Sequence, residues 1–145
     1  MSIVQPESLT SRLGFLLKHV WLAHAELSAA ALKPLGIDGR ELAVLTVLAE
    51  GDALSQHEAA KRLGIDRTTM VAMLDTLAGK DLIARRQHPD DRRRNIVELN
   101  AAGRRTLRKG TRLSVDVEER FLAPLGARDS QRFRDALRAL ISDPK

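Results

Sequence analysis

Between Arg85 and Arg112 the chain places ten basic residues against three acidic ones, a local net charge of +7 in a chain of 145 residues whose total is +5. A concentrated positive segment on a near-neutral remainder is the chemistry of a surface that meets polyanions. Its densest part is Asp91-Arg92-Arg93-Arg94, three planar guanidiniums beside one carboxylate. Such forks hold a permanent charge and match phosphate geometry. A second group is Arg67-Thr68-Thr69, directly after Asp66, so a cation and two hydroxyls fall where an aspartate can cap a helix. A third is Trp21 with His24, on an apolar stripe of helical spacing. An indole wall and an imidazole suit a flat anion by stacking and a charge-assisted hydrogen bond, and they equally suit a packed core.

Catalysis finds no such support. There is no cysteine, which excludes a thiolate nucleophile, a disulfide scaffold and a thiolate zinc site. No glycine-rich phosphate loop, H-x-x-x-H pair or G-x-S-x-G elbow occurs, and the four histidines are scattered. No enzyme activity, metal or cofactor is expected. Aromatic residues make up 3% of the chain, which disfavours RNA binding through exposed rings. No apolar run approaches the ~20 residues of a membrane span. MSIVQPESLT has neither the basic nor the apolar region of a secretory signal, so a soluble, cytoplasmic protein is expected.

The elements that must position these residues are mostly helical. Leu9, Leu13, Leu16, Leu17, Val20, His24, Leu27 and Ala31 predict one long helix from Leu9, stopped near Lys33 by Pro34. Asp38-Gly-Arg-Glu41 reads as a capping box opening a second helix that ends at Gly51. Ser55-Gln-His-Glu58 reads as another, opening a short third helix stopped by Gly64. Asp66 caps a fourth, over Arg67–Ala78. Leu82–Arg86 and Asn95–Leu99 then change to strand period, joined by a turn over His88–Arg94. Asn100 caps a fifth helix whose stripe is Gly103, Leu107, Gly110, Ser114, Val117 and Phe121. Pro124 and Gly126 separate it from a sixth. A helix-turn-helix followed at once by an arginine-tipped hairpin is a winged helix. The expected fold is mainly α with a small β-hairpin wing.

The stretch Leu54–Arg104, with one long helix before it and two after, resembles the MarR family of bacterial transcription regulators. The resemblance runs from about Leu9 to Ile141 and is most specific at Pro89-x-Asp91-Arg92-Arg93 and Leu99-x-x-x-Gly103. It implies an obligate homodimer in which the first, fifth and sixth helices interlock. It also implies repression, or less often activation, at a pseudo-palindromic operator. A small ligand, commonly an aromatic carboxylate or phenolic compound, would weaken DNA binding, in a cleft where the first, second and fifth helices meet the winged lobe. Asp81 stands where the family usually has Gly, and Asn100 where it usually has Thr. Asp tolerates a left-handed backbone, and Asn caps helices as Thr does. The absence of cysteine excludes the peroxide-sensing branch.

Domain boundaries follow: one domain over 9–142, with a DNA-binding lobe at 38–99 and dimerisation helices at 9–35 and 100–142. The partners expected are double-stranded DNA, a second copy of the chain and a small-molecule effector, with no membrane and no RNA. In the recognition helix Arg67 can fork onto guanine, while Thr68, Thr69 and Ala72 meet base edges or phosphate. Ser55 and Gln56 contact phosphate at the preceding helix start. Arg93 enters a narrow minor groove, Asp91 fixes the wing that carries it, and Arg92 and Arg94 neutralise phosphates. Trp21 and His24 are the effector candidates, and Leu9, Leu13, Phe133, Leu137 and Leu140 the dimer contacts. The competing reading is an architectural DNA binder or protein adapter that needs neither operator nor ligand.

Overall fold

A computed structural model of the chain describes residues 6–50 and 54–142, with the backbone alone for Leu54 and Ser55. Its helices are α1 (Glu7–Thr10), α2 (Leu13–Leu32), α3 (Gly39–Ala49), α4 (Gln56–Leu63), α5 (Arg67–Gly79), α6 (Ala101–Leu122) and α7 (Gly126–Ile141). The strands are β1 (Leu54–Ser55), β2 (Ile83–Gln87) and β3 (Asn95–Leu99). The six expected helices are α2 to α7.

Local chemistry explains most boundaries. The Glu41 amide donates to Asp38 Oδ1 at 2.8 Å and the Asp38 amide to Glu41 Oε1 at 3.3 Å, the predicted capping box. The Gly103 amide donates to Asn100 Oδ1 at 2.8 Å, so Asn100 caps α6. Asp81 takes the left-handed position after α5, with φ 60°, and Leu82 N–H returns to the Leu77 carbonyl at 3.1 Å. That is the helix termination usually given to glycine.

Two expectations need correction. The first helix is not continuous from Leu9: α1 ends at Thr10 and α2 begins at Leu13, so Leu9 lies in a separate turn. The Thr10 hydroxyl donates to the Glu7 carbonyl, the local competition by which Ser and Thr end helices. The wing sheet has three strands in the order β1-β3-β2, because Leu54 pairs with Val97 and Ser55 with Ile96. The capping box expected at Ser55 depends on a side chain outside the described residues.

Contacts divide the chain into two compact units, one of α1, α2 as far as Leu27 and the chain from Val115 through α7, the other of Ser28–Ser114. The second holds the winged helix. Its core joins Leu32, Val44, Leu45, Met70, Leu74, Leu77 and Val97, all nearly inaccessible. Two further contacts brace it. A Cβ on Gly103 would stand 2.1 Å from the Leu82 carbonyl oxygen, so only glycine lets α6 lie against the base of the wing. Lys80 Nζ donates to Glu41 Oε2 and to the Gly36 carbonyl, each at 2.6 Å, tying the end of α5 to the start of α3. Among the described residues no helix is long and apolar enough to cross a membrane.

Candidate nucleic-acid interface and ligand cavity

Within the winged unit the start of α4, the first turns of α5 and the wing bound one cleft of about 530 Å³, lined by Gln56, His57, Arg67, Met70, Val71, Arg93, Arg94 and Asn95. The fold therefore brings together Gln56, Arg67, Arg93 and Arg94, which the sequence reading drew from three separate segments. Thr68 and Ala72 are exposed on α5. Thr69 has a local role as well: its amide and hydroxyl donate to Asp66 Oδ1 and Oδ2 at 2.8 and 2.6 Å. These hydrogen bonds, the hydroxyl's first, hold the exposed Asp66 carboxyl below the usual carboxylate range. Ser55 contributes backbone to β1, and its side chain lies outside the described residues.

The wing is built by its own carboxylate. The Arg93 amide donates to Asp91 Oδ1 at 3.0 Å, and the Arg94 amide to the Asp91 carbonyl at 3.1 Å. The His88 amide reaches the Arg94 carbonyl at 2.9 Å, and the Asp90 amide donates to His88 Nδ1 at 3.1 Å. Asp91 thus engages a backbone amide of the wing tip.

Pairing divides the wing arginines. Arg85 meets Asp75 at 2.7 Å, Arg86 meets Glu98 at 3.0 Å, and Arg94 is paired with Glu58. Arg92 and Arg93 are exposed and carry no ion pair among the described residues. The free charge of the wing is therefore concentrated at its tip. Arg67 is not neutralised either, since its one partner among the described residues is an imidazole: its Nη2 lies 3.4 Å from His57 Nδ1.

Sequence reasoning missed His57, Val71 and Asn95 among the cleft's lining, and Val71 is the clearest case. It is exposed, one turn after Arg67, and lines the same cleft. The available signal was its position four residues along the helix face presented by Arg67.

The terminal unit holds a cavity of about 600 Å³ whose walls include Leu17, Lys18, Trp21, His24, Phe121, Phe133, Arg134 and Leu137. Both sequence-predicted effector residues line it. The His24 ring meets Phe121 edge-on, with centroids 5.3 Å apart. Arg134 pairs with Glu118 at 3.0 Å, and Lys18 has no carboxylate partner among the described residues. The walls come from α2, α6 and α7: the first and fifth helices of the expected cleft are present, and the sixth stands where the second helix and the winged lobe were expected. Of the expected dimer contacts, Leu9, Leu13, Leu137 and Leu140 are exposed, and Phe133 is half-buried in the cavity wall. Among the described residues no cluster of His, Asp and Glu has the arrangement of a metal site.

Known proteins carry the same pattern. A model of the MarR family matches residues 39–94. An uncharacterized HTH-type transcriptional regulator of Bacillus subtilis, YdgJ, is 28% identical over 102 residues, 70% of this chain, and the chain spans 62% of that relative's length. The HTH-type transcriptional repressor Rv2887 of Mycobacterium tuberculosis is 29% identical over 131 residues, 90% of this chain and 94% of the repressor. The transcriptional repressor CouR, solved on a 23-mer DNA duplex, is 32% identical with a TM-score of 0.86, covering 98% of this chain and 100% of its own. CouR solved with p-coumaroyl-CoA superposes with a TM-score of 0.88 at 28% identity, with the same coverage. With the winged helix, its arginine-tipped hairpin and the flanking helices all matched, the chain belongs to the MarR family of winged-helix transcription regulators.

Proposed function

We propose that the protein is a dimeric repressor that reads a pseudo-palindromic operator and is released from it by a small aromatic or phenolic acid, free or as a thioester. The observation that carries the DNA half is the cleft where Arg67 and Arg93 converge without carboxylate partners while neighbouring arginines are neutralised. Arg67 reads a base in the major groove, Gln56 and Arg92 meet phosphates, and Arg93 enters the minor groove. The lobe spans 38–99 and the remaining helices dimerise. Two recognition helices on one side of the duplex place half-sites roughly 10 base pairs apart, one helical turn.

Support for the effector comes from the cavity of the terminal unit, where aromatic walls and the unpaired cation Lys18 suit a flat anion, with Arg134 held in its pair with Glu118 at the same wall. The relative CouR was solved with p-coumaroyl-CoA. Trp21 is the chain's single tryptophan and lines that cavity, so all tryptophan fluorescence arises at its wall. The experiment is selection of duplexes from a random-sequence pool, then gel shift of the selected duplex with and without p-coumarate, protocatechuate and p-coumaroyl-CoA. Release of DNA together with quenching of Trp21 by the same compound supports the reading. Binding no tighter to the selected duplex than to competitor DNA defeats the operator half and favours an architectural protein.

A further inference from the structure

Arg67 differs from its neighbours in what holds it. Arg85, Arg86 and Arg94 are each held by a carboxylate, which aims the guanidinium but cancels its charge. Arg67 is held by the His57 ring nitrogen, a contact of 3.4 Å between two exposed side chains on different helices. For the guanidinium, which has only donors, to bond there, Nδ1 must be the unprotonated nitrogen of a neutral imidazole. A neutral acceptor restrains the side chain and leaves its positive charge intact. It engages one of five N–H donors, and the bidentate reading of guanine needs only two.

We infer that His57 is a positioning residue for operator discrimination: it pre-aims Arg67 so that the free protein already presents the guanidinium to the cleft. This rests on Arg67 reading a base. An exposed arginine otherwise loses rotamer freedom when it docks, a cost that falls on the complex. No other hydrogen-bond or ion-pair partner restrains Arg67 among the described residues. The nearest carboxylate along α4, Glu58, is engaged by Arg94. The first turn of α4 therefore treats the two arginines differently, neutralising the one at the wing and only aiming the one on the recognition helix.

The test compares Kd for a duplex selected by the wild-type protein with Kd for its scrambled version, at one salt concentration. His57→Ala should lower the ratio of the two by about two- to tenfold, the factor for freeing one long side chain. His57→Leu, which keeps bulk but offers no acceptor, should match it and stands in if the alanine variant does not fold. His57→Asn, whose amide oxygen can replace Nδ1, should retain the wild-type ratio. In an Arg67→Ala background His57→Ala should change nothing further. Additive losses there would mean that His57 meets DNA itself and would overturn the inference. So would equal losses on both duplexes. If Arg67→Ala weakens both duplexes alike, base reading fails and the inference fails with it. If Arg67→Ala lowers the ratio and His57→Ala does not, only the positioning role is lost.

Discussion

Leucine and valine dominate both compact units, yet they end in opposite situations. In the winged unit Val44, Leu45, Leu74, Leu77 and Val97 are fully inaccessible, because α3, α5 and the sheet each turn an apolar face toward the others. In the terminal unit Val117 is the one buried hydrophobic residue among those described, while Leu13 is 66% exposed, Trp21 63% and Leu140 75%. Along α2 the apolar side chains Leu16, Leu17, Val20, Leu22 and Leu27 point to several sides at once, and all are exposed. Interspersed with Lys18, His19 and Glu26, this apolar area stays in water within a single chain. Each such side chain gains roughly 1.5–3 kcal/mol on full burial, a gain the winged unit realises within one chain and the terminal unit does not. The proposed dimer would supply it, leaving the winged unit as the fixed body and the terminal unit as the one ordered by association.

The largest way to break that contrast is Leu137→Asp. A carboxylate placed in an apolar contact, twice per dimer, should cost roughly 3 kcal/mol or more. The variant should sediment as a monomer at micromolar concentration and lose operator binding with the winged unit intact by circular dichroism. A Leu137→Asp chain that stays dimeric would place the second copy on another face.

Next in size is Gly103→Ala, which drives a Cβ into the Leu82 carbonyl. Overpacking of this kind costs about 1–3 kcal/mol in urea unfolding, and here it should tilt α6 from the wing base. An unchanged unfolding midpoint would show that α6 does not need that close approach.

Arg93→Ala tests function without stability. An exposed wing residue should change unfolding by no more than about 0.5 kcal/mol. The slope of log affinity against log salt should shrink by about 0.9 for each phosphate neutralisation lost. A salt slope equal to that of the wild type would remove Arg93 from the interface. Asp91→Ala is subtler. Removing an acid beside phosphates should tighten binding if net charge alone mattered. Because Asp91 Oδ1 holds the Arg93 amide, looser wing geometry should instead weaken binding, and tighter binding would deny Asp91 its orienting role.

The smallest effect is the pH dependence of the α5 cap. Asp66 is held below its ordinary 3.8 by the Thr69 hydrogen bonds, so its folded pKa is depressed. Its contribution is then fully present above the unfolded value and is lost as pH falls through the folded one. The stability gap between wild type and Asp66→Ala, followed by thermal melts, should be constant near neutrality and narrow below 3.8. A gap that persists unchanged into stronger acid would mean that the charge of Asp66 is irrelevant to the cap.

Much of this architecture was legible from residues a few positions apart. Asp38 with Glu41, Asp66 with Thr69, and Asn100 with Gly103 are local signals, and each opens the helix it implied. Asp81 entered the left-handed region as a residue replacing glycine must. The two departures from the family pattern even meet, since Asn100 Nδ2 donates to the Asp81 carbonyl at 2.7 Å. β1 was not legible, because a strand of two residues has no period to detect, and its pairing with β3 joins positions some 40 residues apart. The same holds for the break at Ser11–Arg12, where weak side-chain competition outweighed a continuous apolar stripe.

Charge shows the division most clearly. Counting along the chain identifies a basic segment and its sign, because formal charge belongs to each residue alone. Which of those charges remain free depends on Asp75, Glu58 and Glu98, which reach Arg85, Arg94 and Arg86 across separations of 10, 36 and 12 residues. Ion pairs form over a few ångströms whatever the distance along the chain, so the selection of Arg92 and Arg93 as the unneutralised arginines of the wing, beside an unneutralised Arg67 on α5, had to await the packing of α4, α5 and the wing.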